Sequence, residues 1–403
     1  MRLNELLDVV FRWAHLIAGI MWIGNSMLFN WLDRNLIKPG PDEANRLSQG
    51  KIWLVHSGAF YDVEKTLLEP GELTDRMHWF KWQNGFTWLT GISLLIVVYY
   101  MNGAAFLVDP AIADLDPIVA RTLSISALFV AWLAYDAMWR TFGEGSPRLA
   151  NALSIALLFG AIFGFAQVFS GRGAYMQTGV MIGTLMTGNV WLCIMPSQRS
   201  LIAATQAGAE QDPVLSLRAK QRSIHNNYLT FPLLFIMLSN HFPSATGHHL
   251  NWLVLIAVMI GGAGVRHFMN IRYLGGGEQL PLSSWLAPAF VMGGIAVGGL
   301  LVITNLRATP KAKVDYVVPF ARAEEIINQR CVPCHSAHPT DAQFPVAPKN
   351  VFLDRPDSIR AMAPRVKAMA VDAITMPFLN RTKMTDLERA ELGAWIEAGA
   401  ELK

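Results

Sequence analysis

Cys331-Val332-Pro333-Cys334-His335 has the clearest chemical meaning of any stretch in the chain. Two thiols three positions apart reach the two vinyl groups of one porphyrin, and the next imidazole is carried beneath the iron. This is the C-x-x-C-H pattern of covalent haem c attachment. A zinc site would need two further Cys or His ligands, and the rest of the tail offers only His338. The third cysteine, Cys193, lies in an apolar stretch and reads as packing.

Other residues able to do chemistry sit in apolar surroundings, where an ionisable group is costly and marks function by default. His15, His78, His225 and His267 are the main candidates. Each alone reads equally well as an interfacial or satisfied histidine. His78, His225 and His267 fall at one level, at or near span ends on one side, while His15 lies toward the other side. At that level they would ligate a b-type haem or bind and deprotonate a polar substrate. His225-Asn226-Asn227-Tyr228 packs many donors and acceptors at a helix entrance, which suits a planar, hydrogen-bonding ligand or simple capping. Asp136 has Arg140 one turn later, an ion pair or a proton relay.

The elements that position these residues follow from composition. The 403 residues are 52% hydrophobic and only 16% charged, whereas a soluble protein carries about 25% charged residues. The contrast is regional: residues 308–403 hold 13 Lys/Arg and 12 Asp/Glu, the ordinary density of a soluble domain. The net charge of +3 without basic runs excludes nucleic acid as a partner class. Apolar stretches of bilayer-spanning length, about 20 residues, occur at 9–31, 85–107, 121–139, 150–169, 175–195, 226–242, 250–270 and 284–304. No small-residue cleavage site follows the first, so it reads as a retained helix. Positive charge concentrates in alternate loops: Arg34, Lys38, Arg46, Lys51, Lys65, Arg76 and Lys81 in the first, Arg140 and Arg148 in the third, Arg199, Arg218, Lys220 and Arg222 in the fifth. These loops are assigned to the cytoplasm, and both termini to the outer side. The expected fold is all-α, a polytopic membrane helix bundle of about eight spans over 1–306. A linker at 307–319, in which Pro310 follows the last helix, leads to a small c-type cytochrome domain over 320–403, with helical patterns at 320–331, 357–370 and 385–399.

Methionine as the sixth haem ligand would raise the potential. Met376-Pro377 fits a ligand loop, followed at a suitable distance by the helix opening Thr385-Asp386; Met384 is the rival. Cys331, Cys334, His335 and Met376 are therefore expected to hold haem c, with His335 and Met376 on the iron. Its attachment outside a bacterial inner membrane agrees with the outward tail.

Several stretches run in order along the chain: Arg12-Trp13-Ala14-His15 with Trp22-Ile23-Gly24, His56-Ser57-Gly58-Ala59-Phe60-Tyr61, His78-Trp79-Phe80-Lys81-Trp82 and Gln167-Val168-Phe169-Ser170-Gly171-Arg172. Met195-Pro196-Ser197-Gln198-Arg199, Gln221 to Thr230, and Arg266-His267 with Asn270 follow. With the C-x-x-C-H tail they resemble the integral-membrane, cytochrome-c-linked urate oxidases, also called urate hydroxylases. The pattern departs at Ser57, where glycine is expected, and at Gln83-Asn84, where an acidic–aromatic pair is expected.

The resemblance implies oxidation of urate to 5-hydroxyisourate, with oxygen from water and electrons passed to the cytochrome, then to a further cytochrome or terminal oxidase. Soluble urate oxidase instead hands electrons to O2 and forms peroxide. Urate is a flat anion; Arg222, Asn226, Asn227, Gln83 and Arg266 are its expected partners, and His225 or His78 the general base. If urate enters from the cytoplasm, its electrons must cross a hydrocarbon core about 30 Å thick. That distance motivates a haem b ligated by histidines from His15, His78, His225 and His267; the opposing reading keeps urate on the outer side. Rival functions are a quinol- or other-substrate-oxidising cytochrome subunit and a haem-containing transporter or redox sensor.

Overall fold

The first apolar stretch folds as one helix, α1 (Leu3–Asn35), with Glu5 in its first turn and Arg34 in its last, each opposing the local dipole charge. The computed structural model describes residues 3–40, 48–66, 77–101, 104, 106–110, 112–143, 145–272, 280–306, 312, 314–341, 344, 346–372 and 374–402. Arg46, Arg76 and part of the expected linker, 307–311 and 313 with Pro310 among them, lie outside the described residues.

The all-α expectation fails at one place. Strands β1 (Ser48–His56) and β2 (Ala59–Thr66) form an antiparallel hairpin. Its turn residues Ser57 and Gly58 both have positive φ, 52° and 74°, the pattern of a tight two-residue hairpin turn. This explains why glycine is expected at Ser57. The run Ile52-Trp53-Leu54-Val55 has the β-branched and aromatic content that favours strands, but it is embedded in a charged loop.

Helix α2 (Trp82–Leu94) continues through a π turn, Leu95–Tyr100. Asp116 caps α3 (Pro117–Thr141), accepting from the Ile118 amide at 2.8 Å, with Pro117 at the first helical position. α4 (Pro147–Val168) begins in the same way with proline. Ser170 caps α5 (Gly171–Gly188) through the Gly173 amide at 2.9 Å. A second π turn, Asn189–Ile194, joins α5 without a break to α6 (Met195–Gln206). Asp212 and Pro213 open α7 (Pro213–Leu238); then come the single turn α8 (Pro243–Thr246), α9 (Asn251–Ile271) and α10 (Leu282–Asn305).

Among the described residues, six helices are long and apolar enough to cross a membrane: α1, α3, α4, the continuous helix Gly171–Gln206, α9 and α10. The chain is therefore a multi-pass membrane protein. Two expected spans fall short for visible reasons. The helix at 82–100 opens with Gln83 and Asn84, and its apolar run starts only at Ile92; the stretch 226–242 belongs to α7, whose first half carries Arg218, Lys220 and Arg222. Both nevertheless pack inside the bundle, α2 on α1 and α5, α7 on α5 and α9. Tyr175, Ile182, Ile236 and Leu255 form the centre of the core where α5, α7 and α9 meet.

The tail has a separate core. Helix α11 (Phe320–Arg330), α12 (Pro356–Val366) and α13 (Asp386–Glu397) bury Ile326, Ile327, Ile359, Leu392 and Trp395 together. Thr385 and Glu388 close a capping box at the start of α13. Arg330 bonds Glu388 at 2.8 Å, and Arg322 bonds Glu391 at 2.9 Å, tying α11 to α13.

Candidate functional site

The π turn at Asn189–Ile194 positions the densest polar network in the membrane part. An extra residue in a helical turn re-aims side chains, and such turns recur at functional sites. Gly188 precedes it for a steric reason: a Cβ there would lie 2.5 Å from the Trp132 ring, so a side chain would force α5 away from α3. Asn189, wholly buried, donates to the Tyr135 hydroxyl at 3.1 Å and to Asn226 Oδ1 at 2.9 Å. Asn226 Nδ2 donates to the Met186 carbonyl at 3.0 Å. The Tyr135 hydroxyl also contacts His225 Nδ1 at 2.7 Å, and Trp139 lies against the same imidazole at 4.3 Å.

Charge enters this network through Asp136. Its two oxygens accept from Arg140 at 2.6 Å and from Arg222 at 2.8 Å. Arg222 is 1% exposed, its guanidinium stacked 4.6 Å over the Tyr135 ring. Two guanidiniums on one carboxylate leave an excess positive charge, and Arg222 Nη1 and Asn189 Oδ1 have no hydrogen-bond partner among the described residues. A buried cation with an idle donor beside an idle acceptor suits a ligand that is anionic and carries N–H groups.

A cavity of about 110 Å³ adjoins the network, walled by Trp22 of α1, Met186 and Val190 at the π turn, and Ser223 and Asn226 of α7. An apolar cavity of about 150 Å³ accepts benzene, so a fused two-ring ligand requires some movement of the wall. Met186, with a flexible thioether, is the residue best able to give.

Of the sequence candidates, Arg222, His225 and Asn226 meet in this one network. Asn227 does not: its Oδ1 accepts from Arg266 at 3.0 Å and Asn270 at 2.7 Å on the other side of α7. Tyr228 there contacts His267 Nδ1 at 2.8 Å. His78 packs edge-on against Phe80 at 4.6 Å. His15 Nδ1 donates to the Thr87 carbonyl at 2.9 Å; because a carbonyl only accepts, Nε2 is left as the lone-pair nitrogen. Gly91 makes room for that ring, since a Cβ would meet His15 at 3.1 Å. His15, His225 and His267 are thus held by different pairs of helices, and His78 lies in the segment before α2. Among the described residues no hydrogen bond or ring contact joins two of them, and no three His, Cys, Asp or Glu could share a metal ion. Gln83 Oε1 lacks a partner among the described residues, while Asn84 is tied to Thr187 and Trp191. Cys193 is buried. His248 is fixed by the Leu306 carbonyl and the Leu250 amide.

Tyr135 and Asn189 escape the sequence reading. Asn189 is a lone amide inside an apolar span, which is itself a signal, but nothing in the sequence pairs it with α7.

The pattern of the urate oxidase N-terminal family matches residues 1–298. The chain belongs to this family. No curated protein and no solved structure matches it. The matched segment contains every residue of the buried network, so the network belongs to the urate oxidase part of the chain, and the C-x-x-C-H tail lies beyond it.

In that tail, α11 ends at the pentapeptide. The amides of Cys334 and His335 both donate to the Cys331 carbonyl, at 3.1 and 2.9 Å, folding the motif into one turn. His335 Nδ1 donates to the Val351 carbonyl at 3.1 Å, which leaves Nε2 as the nitrogen with the lone pair. Met384 is buried in the tail core, its amide bonded to Asn380. Met376 is only half-buried, and its carbonyl is held by Arg389 at 2.6 Å. Cys331, Cys334, His335 and Met376 could therefore hold a haem between them.

Proposed function

We propose that the protein oxidises urate to 5-hydroxyisourate in its membrane domain, with water as oxygen source, and exports the electrons through a haem c in its tail. The observation that carries this reading is the buried guanidinium of Arg222, paired with Asp136 through Nη2 while its Nη1 has no hydrogen-bond partner among the described residues. A guanidinium buried inside a membrane protein is costly and marks function by default, and membership of the urate oxidase family suggests urate as the anion its idle N–H would hold.

In this reading Arg222 Nη1 binds the urate anion, and Asn189 Oδ1 accepts one of its N–H groups. His225, oriented by the Tyr135 hydroxyl, is the base that takes a proton from urate or from the attacking water. It is preferred to His78 because only His225 belongs to the network. Urate and water together give 5-hydroxyisourate, two protons and two electrons. Haem c, when bound, would supply a one-electron acceptor; Cys331 and Cys334 would carry it, with His335 and Met376 holding its iron. From the tail the electrons pass to an external cytochrome or terminal oxidase. The proposal includes a membrane haem b, which rests chiefly on His15, whose Nε2 keeps its lone pair because Nδ1 donates to the Thr87 carbonyl. The test of the activity is purified protein with urate, a ferric one-electron acceptor and heavy-oxygen water. Label in 5-hydroxyisourate and no peroxide support the reading; urate left unconsumed would refute it.

The proposed topology has eight crossings, with α2 and α7 completing the six apolar helices, in a bacterial inner membrane. Both termini and the tail are periplasmic. Alkaline phosphatase fused after Lys403 should be active, and fused within 200–220 inactive. The reverse result contradicts the topology.

Met376→Ala is expected to keep covalent haem while shifting its spectrum and lowering its potential, because a thioether favours ferrous iron. The same change at Met384 should lower stability instead, by the cost of a core cavity. If only Met384→Ala alters the spectrum, the ligand assignment is wrong.

Acid should loosen the tail through Glu388 and Glu391. Burial alone would raise both carboxyls, but Arg330 with Thr385 at Glu388, and Arg322 with Tyr316 at Glu391, reverse this and hold them below the ordinary range. Such stability is present above the unfolded-state pKa and is lost as pH falls through the lower folded value. Glu388→Gln should therefore cost about 2 kcal/mol at neutral pH, and the difference from the unaltered protein should vanish in acid. Denaturant midpoints measured across pH check this.

A further inference from the structure

The outer end of the bundle meets the tail at a line of rings. Phe378, two residues beyond Met376, packs against Phe106 with ring centroids 4.9 Å apart. Phe344 extends the line on the tail side at 5.8 Å, and Tyr99 extends it into the bundle at 6.4 Å. The arrangement is built on both sides. Ser170 holds the Phe106 carbonyl at 2.7 Å, and the Ser170 amide donates to the Leu107 carbonyl at 2.8 Å. The Arg172 guanidinium lies 4.8 Å over the Phe106 ring and is itself anchored to Asn240 at 2.7 Å. On the tail side Arg389 grips the Met376 and Ala370 carbonyls, and Asp109 of the outer loop acts electrostatically on that same guanidinium.

We infer that the Phe106–Phe378 seam, clamped by Arg172, seats the cytochrome domain with its Met376 edge toward the bundle and is where electrons enter the tail. The inference rests on the proposed function for the source of the electrons, while the seating stands on the contacts alone. Tunnelling falls steeply with distance, so the edge that touches the bundle is the one through which electrons arrive. Each event takes one electron from the membrane domain and reduces one ferric haem to ferrous. Urate yields two electrons and two protons, so two events serve each urate, the tail discharging to a ferric one-electron acceptor between them. Phe106, Phe378 and Arg172 are positioning residues here.

Two measurements on the full-length haem-bearing protein test this. First, cysteines replacing Phe106 and Phe378 are joined in membranes by a short bis-maleimide, and a protease site inserted within 307–313 is then cut. The double variant should stay as one band on a denaturing gel, and either single variant should separate into two. Separation of the double variant overturns the seam. Second, Phe106→Ala should leave the haem spectrum and potential unchanged but slow anaerobic reduction by urate about tenfold, the scale of a positioning loss. Unchanged reduction overturns electron entry at the seam. If the double variant crosslinks but urate does not reduce the haem of the unaltered protein, the seating is upheld and the proposed function is what fails.

Discussion

Arg222→Gln should lower kcat/KM for urate roughly hundredfold, the scale on which loss of one charged donor to a reacting anion is felt. The protein should still fold. Asp136 keeps Arg140 at 2.6 Å, so the substitution leaves a neutral pair and removes only the unbalanced charge. The shorter glutamine does not reach Asp136, whose charge Arg140 then balances alone. Arg222→Lys should recover part of the loss, because lysine keeps the charge but not the planar fork. Asp136→Asn should act in the opposite sense on binding: it leaves two guanidiniums uncompensated, which destabilises the apo protein and tightens the hold on any anion. Urate kinetics with a ferric acceptor, beside thermal melts in detergent, separate these effects. A full-strength Arg222→Gln enzyme would remove Arg222 from the site.

A larger loss is expected at the other end of the chain. Cys331→Ser with Cys334→Ser removes both thioether attachment points, so haem staining of a denaturing gel should disappear. Urate turnover with a ferric protein acceptor should fall to background, because the exit for electrons is gone. Binding of urate to the membrane domain should persist, since the network at Arg222 lies wholly within residues 1–298. Turnover at the original rate without covalent haem would detach the tail from the reaction.

Much of this architecture is legible in the sequence because bilayer and haem chemistry write in local patterns. A span is a continuous apolar run, and C-x-x-C-H fits within one turn of chain; both are visible without knowing the fold. The helix starts are equally local: Asp116-Pro117 and Asp212-Pro213 announce α3 and α7. The site is otherwise. Asp136 and Arg222 are 86 positions apart, and Asn189 and Asn226 are 37 apart, so no periodicity relates them. Read locally, Asp136 has an obvious partner in Arg140, and that pairing hides the second guanidinium. The π turn leaves no mark in hydropathy, because one extra residue in a helical turn changes direction without changing composition. Asn227 shows the converse failure. It adjoins Asn226 in sequence, yet one residue along a helix turns the side chain by about 100°, and it serves Arg266 and Asn270 instead.

The central claim is that urate is the electron donor and the tail's haem the place where its electrons appear. An anaerobic titration of the purified oxidised protein with urate, followed by haem absorption, tests it most directly. Each urate gives two electrons and each haem takes one, so the haem bands should become ferrous with two haems reduced per urate consumed. Arg222→Gln should need far longer to reach the same end point. Bands that stay ferric with excess urate, yet turn ferrous with dithionite, would contradict the account.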